Sequence, residues 1–294
     1  SQREFYQLFA YFNNVPEKGR AVKFGNSPPF IKAPTREQQK RLDELDAKLL
    51  QAQKAVDSLR AQTAKEQALW ESGPEAAKMP GEPWSPTRGL LAAFKLDDAA
   101  KVKSHGAVEF AQGKVGKAAD LDGKRFLDAG DVGKFGFDHQ FSLGCWIQPR
   151  KLNGTILSRG VDEPRGEGYG IHLVNGRLQV YLTKRWLDDA LRIETLEAVP
   201  MDRWSHIVVT YDASRLALGT KVYVDGIEAK ARVLLDELNQ TFETKEPFRI
   251  GSGMGPESRF NGLIDDVRIY NHAIDAGGAR LLACLLYTSP SPRD

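Results

Sequence analysis

The residues best equipped for chemistry lie between Thr183 and Arg192. Lys184, Arg185, Trp186, Asp188, Asp189 and Arg192 interrupt an alternating pattern there. An indole with charged neighbours can serve as a sugar platform, its apolar faces stacking on the ring while polar groups orient it. The other reading of Trp186 is a buried loop anchor. Trp204 and His206 are two apart, so both project from one strand face, opposite Ile207 and Val209. No serine or carboxylate motif accompanies them, which points to packing rather than catalysis. Asp162 and Glu163 are the best-placed acidic pair for calcium, an ion that needs several oxygen ligands converging from loops. No dense second acidic cluster joins them, and Arg159 and Arg165 sit nearby; a solvated turn is the other reading. Asp265 alternates with Leu263, Val267 and Ile269 and is expected on their face, where a carboxylate is costly unless hydrogen-bonded. It reads as a residue tying down a loop, with a calcium role as the alternative.

Several chemistries are excluded. Glycoside hydrolysis needs two carboxylates about 5–5.5 Å or about 6.5–9.5 Å apart across a cleft. On one strand that asks for acidic residues two or four apart, as in ExDxxE, and no such string occurs. Glu194 and Glu197 are three apart, which puts them on opposite faces if extended. CxxC, CxxCH and HExxH are all absent, so zinc and c-type haem sites are not expected in this stretch. Cys145 lies on an apolar strand face and reads as core. No catalytic residue is expected.

The 294 residues are 41% hydrophobic and 27% charged, the texture of a globular chain with room for one large or two ordinary domains. A formal charge of +2 argues against bulk electrostatic capture of nucleic acid or an anionic membrane. No apolar run approaches the ~20 residues of a membrane helix. The chain opens at Ser1 without a Met, so a missing signal peptide carries no message about compartment.

The elements that must position these residues fall into zones. Residues 1–34 open with Phe5, Tyr6, Phe9, Tyr11 and Phe12 in a short helix that Pro16 stops. So many aromatics call for a larger body on which to dock. Residues 35–72 form a long helix, with Thr35 and Gln38 as a capping box. Leu42, Leu45, Leu49, Ala52, Val56 and Leu59 alternate three and four apart, and Thr63 and Trp70 extend the seam. A stripe this narrow, on a helix of ~50 Å, asks for a helical partner along residues 35–70. Residues 73–88 are a proline-rich linker. From about Gly89 the period changes to two. Phe141, Leu143, Cys145 and Ile147 share a face; Asn175-Gly176 and Asp225-Gly226 are hairpin turns; Ile207, Val209 and Tyr211 alternate. Short alternating strands with no intervening helices describe a mainly β protein, an antiparallel two-sheet jelly-roll sandwich over 89–283, preceded by a coiled-coil-like helix.

Ordered motifs sharpen this. Trp204-Ser-His206-Ile-Val-Val-Thr210-Tyr211-Asp212, Tyr223-Val-Asp225-Gly226, Ile250-Gly251 and Phe260-Asn-Gly262-Leu-Ile-Asp265-Asp266-Val-Arg268-Ile-Tyr270-Asn271 follow one another. Together they resemble the laminin-G-like, concanavalin-A-like jelly roll, a relative of pentraxins and legume lectins. The resemblance implies a non-catalytic binding module, often for glycans and sometimes with calcium, in which Trp204 and His206 pack and hydrogen-bond at the sandwich. It also implies that acidic calcium ligands sit in a loop comparable to Asp162–Glu163. Arg3-Glu-Phe-Tyr-Gln-Leu-Phe-Ala-Tyr-Phe-Asn-Asn-Val-Pro-Glu-Lys-Gly19 resembles the end of a domain found in planctomycete-type cytochrome c fusion proteins. That implies an extracytoplasmic setting, with haem in a part upstream of Ser1 and none here. Cys284 to Asp294, CLLYTSPSPRD, resembles sequencing-adapter read-through and is expected to be a non-biological tail.

The expectation is therefore a carbohydrate-binding module within a larger cytochrome-linked protein, its partners a polysaccharide or other surface ligand and the flanking domains. The alternatives are a purely structural spacer and part of an enzyme completed by flanking domains.

Overall fold

The computed structural model describes residues 2–13, 34–71, 87–253 and 255–284. The chain divides into two units, Ser1–Glu82 and Pro83–Asp294. The first unit contributes two helices, α1 (Gln2–Asn13) and α2 (Arg36–Glu71). The capping box forms reciprocally: Gln38 N–H donates to Thr35 Oγ1 at 3.2 Å and Thr35 N–H donates to Gln38 Oε1 at 2.8 Å. Leu42, Leu45, Leu49, Val56 and Leu59 are all exposed. On α1, Phe5 and Tyr6 meet edge to face with ring centres 5.7 Å apart and are likewise exposed. Residues 73–86 of the proline-rich linker, most of the segment after α1 and residues 285–294 of the tail lie outside the described residues.

The second unit is a sandwich of two antiparallel sheets. Sheet A orders β13 (Ile227–Glu228), β12 (Thr220–Val224), β11 (Ser205–Tyr211), β6 (Phe141–Pro149), β16 (Asn261–Tyr270), β4 (Lys117–Asp122) and β3 (Glu109–Gln112), with β1 (Leu90–Phe94) also on β16. Sheet B orders β14 (Ala231–Asp236), β10 (Asp189–Ala198), β9 (Arg177–Arg185), β8 (Gly168–Val174), β7 (Gly154–Gly160), β15 (Phe248–Ile250), β5 (Phe126–Asp128) and β2 (Lys103–His105). The inward residues interdigitate as one core that includes Phe141, Leu143, Cys145, Ile147, Ile207, Val209 and Tyr211 from sheet A. Leu178, Val180, Leu182, Leu191, Ile193 and Phe248 face them from sheet B. Both hairpin turns take left-handed backbone at their two central residues, with φ of 52° and 78° at Asn175-Gly176 and 50° and 78° at Asp225-Gly226. That pattern matches the right-handed twist of the flanking strands.

Two features depart from the sequence reading. A helix, α3 (Ala276–Cys284), follows the last strand and packs Ala279 and Leu282 against Val208, Tyr223 and Tyr270 on the outer face of sheet A. Asp275 starts it, its Oδ1 accepting the Gly278 N–H at 2.8 Å. Gly277 and Gly278 obscure it in the sequence, because glycine is a poor helix former. Cys284 is its last residue.

The second departure concerns Asp265. The register of β16 against β6 shifts between Asp265 and Arg268, and Asp266 takes φ 45°. This bulge inserts one residue and reverses the alternation beyond it. Val267 and Ile269 therefore join Ile264 in the core, while Leu263 and Asp265 point outward, so Asp265 does not share the face of Val267 and Ile269. The bulge also divides the strand edge: β4 pairs with residues 261–264 and β1 with residues 267–270.

Candidate functional site

On the outer face of sheet A, His206, Trp146 and Asp265 stand in one register row across β11, β6 and β16. The His206 ring packs on Trp146 at 4.9 Å, and Lys114 Nζ lies 5.1 Å from the same indole. Burial pulls His206 down to about 3, assisted by the charge of Arg268, so its ring is neutral. Asp225 Oδ1 accepts the His206 N–H at 2.7 Å, joining the hairpin turn to the strand beside it. Gly226 lies close against α3, where an added Cβ would lie 2.8 Å from Arg280 Cα. Trp204 is half-buried just before β11. Asp265 Oδ2 accepts the Val115 N–H of the β3–β4 turn at 2.8 Å, while Oδ1 is buried without a partner.

The outer face of sheet B is built differently. Its register aligns Arg232 of β14, Glu194 of β10, Gln179 of β9, His172 of β8 and Thr155 of β7 in a single row. The row is closed by hydrogen bonds. Arg232 Nε and a terminal nitrogen donate to Glu194 Oε1 at 2.9 and 2.6 Å. Gln179 Nε2 donates to Glu194 Oε2, and Tyr181 Oη donates to Gln179 Oε1. Thr155 gives its one hydroxyl proton to the Gly253 carbonyl at 2.8 Å, so its 2.9 Å contact with His172 Nδ1 makes that nitrogen the donor. Burial holds His172 down at about 3, and it therefore stays neutral.

An aromatic chain crosses this row. His172 stacks on Tyr181 at 4.5 Å, and Tyr181 meets Trp186 edge to face at 5.0 Å. Gly170 permits the stack, since a Cβ there would lie 2.7 Å from His172 Nε2. The Arg192 guanidinium lies 4.0 Å from the Trp186 ring centre and that of Arg165 lies 5.7 Å away. Two cavities flank Tyr181. One is a shallow hollow lined by Ser158, Arg165, Glu167, Thr183 and Trp186. The other is lined by Asn153, Thr155, Glu257 and Ser258, and both include His172 and Tyr181.

Of the residues marked in the sequence, Trp186 lines the first of these cavities and carries Arg192 against its ring. The turn itself is shorter than the sequence suggests: Lys184 and Arg185 still belong to β9, and Asp189 already begins β10. Lys184 pairs with Glu167 at 2.6 Å and Arg185 with Asp188 at 2.9 Å, closing two ion pairs at the rim. Asp189 is buried and accepts the Asn239 and Gln240 amides through Oδ1 at 2.7 and 3.1 Å, so it holds a loop. Asp162 lies apart from them. Its Oδ2 accepts from Arg259 at 2.7 Å and its Oδ1 from the Gly255 N–H at 3.1 Å, which occupies both oxygens with donors, while Glu163 is exposed. Among the described residues no three His, Cys, Asp or Glu side chains converge as a metal site. Sequence reasoning missed Tyr181, His172, Gln179, Glu194 and Arg232. The available signal was the run Gln179, Tyr181 and Thr183 at outward positions, where a solvated strand would carry Lys or Glu.

The carboxylate of the row is not poised as an acid. Burial alone would raise Glu194, but hydrogen bonds from Gln179 and Arg232 outweigh it and hold its pKa below the ordinary value. A general acid for glycoside cleavage needs the opposite shift.

Residues 122–277, just over half of the chain, match a laminin G family described as the concanavalin A-like lectin/glucanases superfamily, and the chain belongs to that family. Adhesion G-protein coupled receptor V1 of Danio rerio is 24% identical over 144 residues, which is 46% of this chain and 2% of the receptor. Among solved structures, the binding domain of Paraclostridial Mosquitocidal Protein 1 is 16% identical, covers 66% of this chain and 52% of its own, and aligns with a TM-score of 0.50. Domain 4 of an extracellular arabinanase from Geobacillus stearothermophilus, solved with arabinotriose, is 21% identical over 66% of this chain and 98% of its own, with a TM-score of 0.48. The chain thus spans a small part of the curated receptor and about half of the mosquitocidal binding domain. No described helix is long and apolar enough to cross a membrane.

Proposed function

We propose that the sandwich is a non-catalytic carbohydrate-binding module whose ligand lies along the outer face of sheet B, over Tyr181. The observation that carries this reading is the polar row from Arg232 to Thr155, buried from Glu194 to Thr155 and flanked by two cavities that share Tyr181 and His172. A sandwich that only fills space has no use for five polar side chains locked in register on an outward face. The superfamily's description spans lectins and glucanases, and the ion-paired state of Glu194 favours the first. A glycan array on the full chain tests this. The wild type should retain a defined set of glycans, and Tyr181→Ala should lose them by about tenfold or more while keeping its near-ultraviolet spectrum. A wild type that retains none returns the sandwich to a spacer role.

Binding is independent of calcium in this reading, because Arg259 already neutralises Asp162. Chelation with EDTA should leave both glycan retention and melting temperature unchanged. A rise of several degrees on adding calcium would restore an ion to the Asp162–Glu163 loop.

The wider setting follows the resemblance of residues 3–19: a larger extracytoplasmic, cytochrome-linked protein, its haem held by residues other than these. The exposed leucines of α2 support a helical arm that pairs with another helix and sets the distance between the module and its flanking domains.

A further inference from the structure

The rim of the cavity beside Trp186 carries an unbalanced charge. Arg165 lines it, and Lys184, Arg185 and Arg192 flank Trp186 along the chain; two of the four are spent, Lys184 on Glu167 and Arg185 on Asp188. Arg165 and Arg192 have no carboxylate at ion-pair distance among the described residues, yet both guanidinium groups converge on the Trp186 ring. Arg192 Nε is buried without a hydrogen-bond partner. So is Thr183 Oγ1, on a side chain only 1% exposed that lines the same cavity. With Arg192 against it at 4.0 Å, the indole is not the open apolar platform that its sequence neighbourhood suggests.

Two like charges sharing one aromatic ring repel each other, and the indole quadrupole offsets only part of that. Burial weakens the hold of Arg192 on its proton, Tyr181 partly opposes this, and the charge of Arg165 adds to it. A planar guanidinium fork matches a carboxylate or sulfate, and an adjacent hydroxyl adds a further donor. Unpaired donors at a cavity wall cost free energy that such a ligand restores.

We infer that the ligand of this face is an acidic polysaccharide, whose carboxylate or sulfate group is received by Arg165, Arg192 and Thr183 beside Trp186. This rests on the reading of sheet B as a glycan-binding face and specifies the ligand it takes. The full chain is titrated calorimetrically with polygalacturonate, dextran sulfate and neutral dextran at low salt, and again at higher salt. Either acidic polymer should bind about tenfold or more tighter than dextran, with an advantage that shrinks as salt rises. Binding of polygalacturonate alone identifies a carboxylate ligand, dextran sulfate alone a sulfate, and both a general oxyanion site. Arg165→Gln, at an exposed turn position where folding is not at stake, should remove most of that advantage, and Arg192→Lys should reduce it. Equal affinity for acidic and neutral polymers, or an unchanged advantage in Arg165→Gln, overturns this inference and leaves the glycan-binding face standing. Absence of binding to all three polymers and to the glycan array overturns both.

Discussion

Arg159→Ala should destabilise the sandwich by about 3 kcal/mol and lower its melting temperature by ~8 °C. Arg159 is only 1% exposed, although it belongs to a residue type that is rarely buried. The offset between Thr155 and Leu157 in the pairing of β7 with β8 puts both Ile156 and Leu157 in the core. Arg159 follows on the strand, and its guanidinium ties two loops to the sheet. It donates to the Val132 carbonyl at 2.8 Å, to Asp131 Oδ1 at 2.9 Å and to the Thr244 carbonyl at 3.3 Å. Tyr169, its register partner on β8, anchors the same loop through Gly133. The exposed Asp131 contributes little to the total, because water solvates it when the pair is lost. The cost comes from the stranded carbonyls and the vacated volume. Arg159→Lys should recover less than half, since an ammonium cannot present a planar fork to three separated acceptors. Thermal unfolding of the three proteins decides it, and a shift below ~2 °C in the alanine variant would place the loops' anchorage elsewhere.

Asp265 should make the fold less stable as pH rises from about 4 to neutrality. Burial pushes its carboxyl up to about 7, the nearby Asp266 charge adds to this, and the Val115 N–H opposes it. Below about pH 4 the group is protonated whether folded or unfolded, and contributes nothing to the pH dependence. Between about 4 and 7 the folded protein keeps a proton that the unfolded chain has released, so stability declines with pH at up to ~1.4 kcal/mol per unit. Above about 7 the loss is complete and amounts to ~4 kcal/mol at most. Asp122 works in the opposite sense at lower pH, held down at about 2 chiefly by the Arg125 and Lys124 N–H groups. The comparison is therefore made against Asp265→Asn, which keeps an oxygen for Val115 and has no proton to lose. Urea midpoints at pH 5 and pH 8 should fall in the wild type relative to the variant. Parallel behaviour of the two proteins would mean that Asp265 is ionised throughout and stabilised by groups outside its immediate contacts.

Most of the sandwich was legible because its signals are local. Phe141, Leu143, Cys145 and Ile147 alternate, and alternation follows from the two-residue repeat of a strand. Asn175-Gly176 and Asp225-Gly226 mark turns because those residues tolerate left-handed backbone. The same rule misled at Asp265, where one inserted residue at Asp266 shifts the parity of everything after it. Nothing in the string Asp265-Asp266 distinguishes a bulge from a continuing strand. The bulge is imposed by β16 having to change neighbours from β4 to β1 along one edge.

The candidate site was only half visible for a related reason. Trp186 and Arg192 stand out as an aromatic and a cation at a break in the pattern. Tyr181, Gln179 and His172 instead occupy outward strand positions, which alternation assigns to solvent. Whether such a position is wet or buried depends on what lies beside it on strands far away in the chain. Gln179 is buried because Glu194 and His172 flank it, and Thr155 because the Gly253 carbonyl caps it.

The amino-acid sequence by itself determined the strands, their inward faces, the two hairpins and the capped helix, since each depends on contacts within a few residues. Only the tertiary structure decided which outward residues form a buried row, which ion pairs close at its rim and which two arginines are left over. Those outcomes depend on strand register and loop approach across tens of residues, where hydrogen bonding and charge pairing are settled by partners that no local pattern specifies.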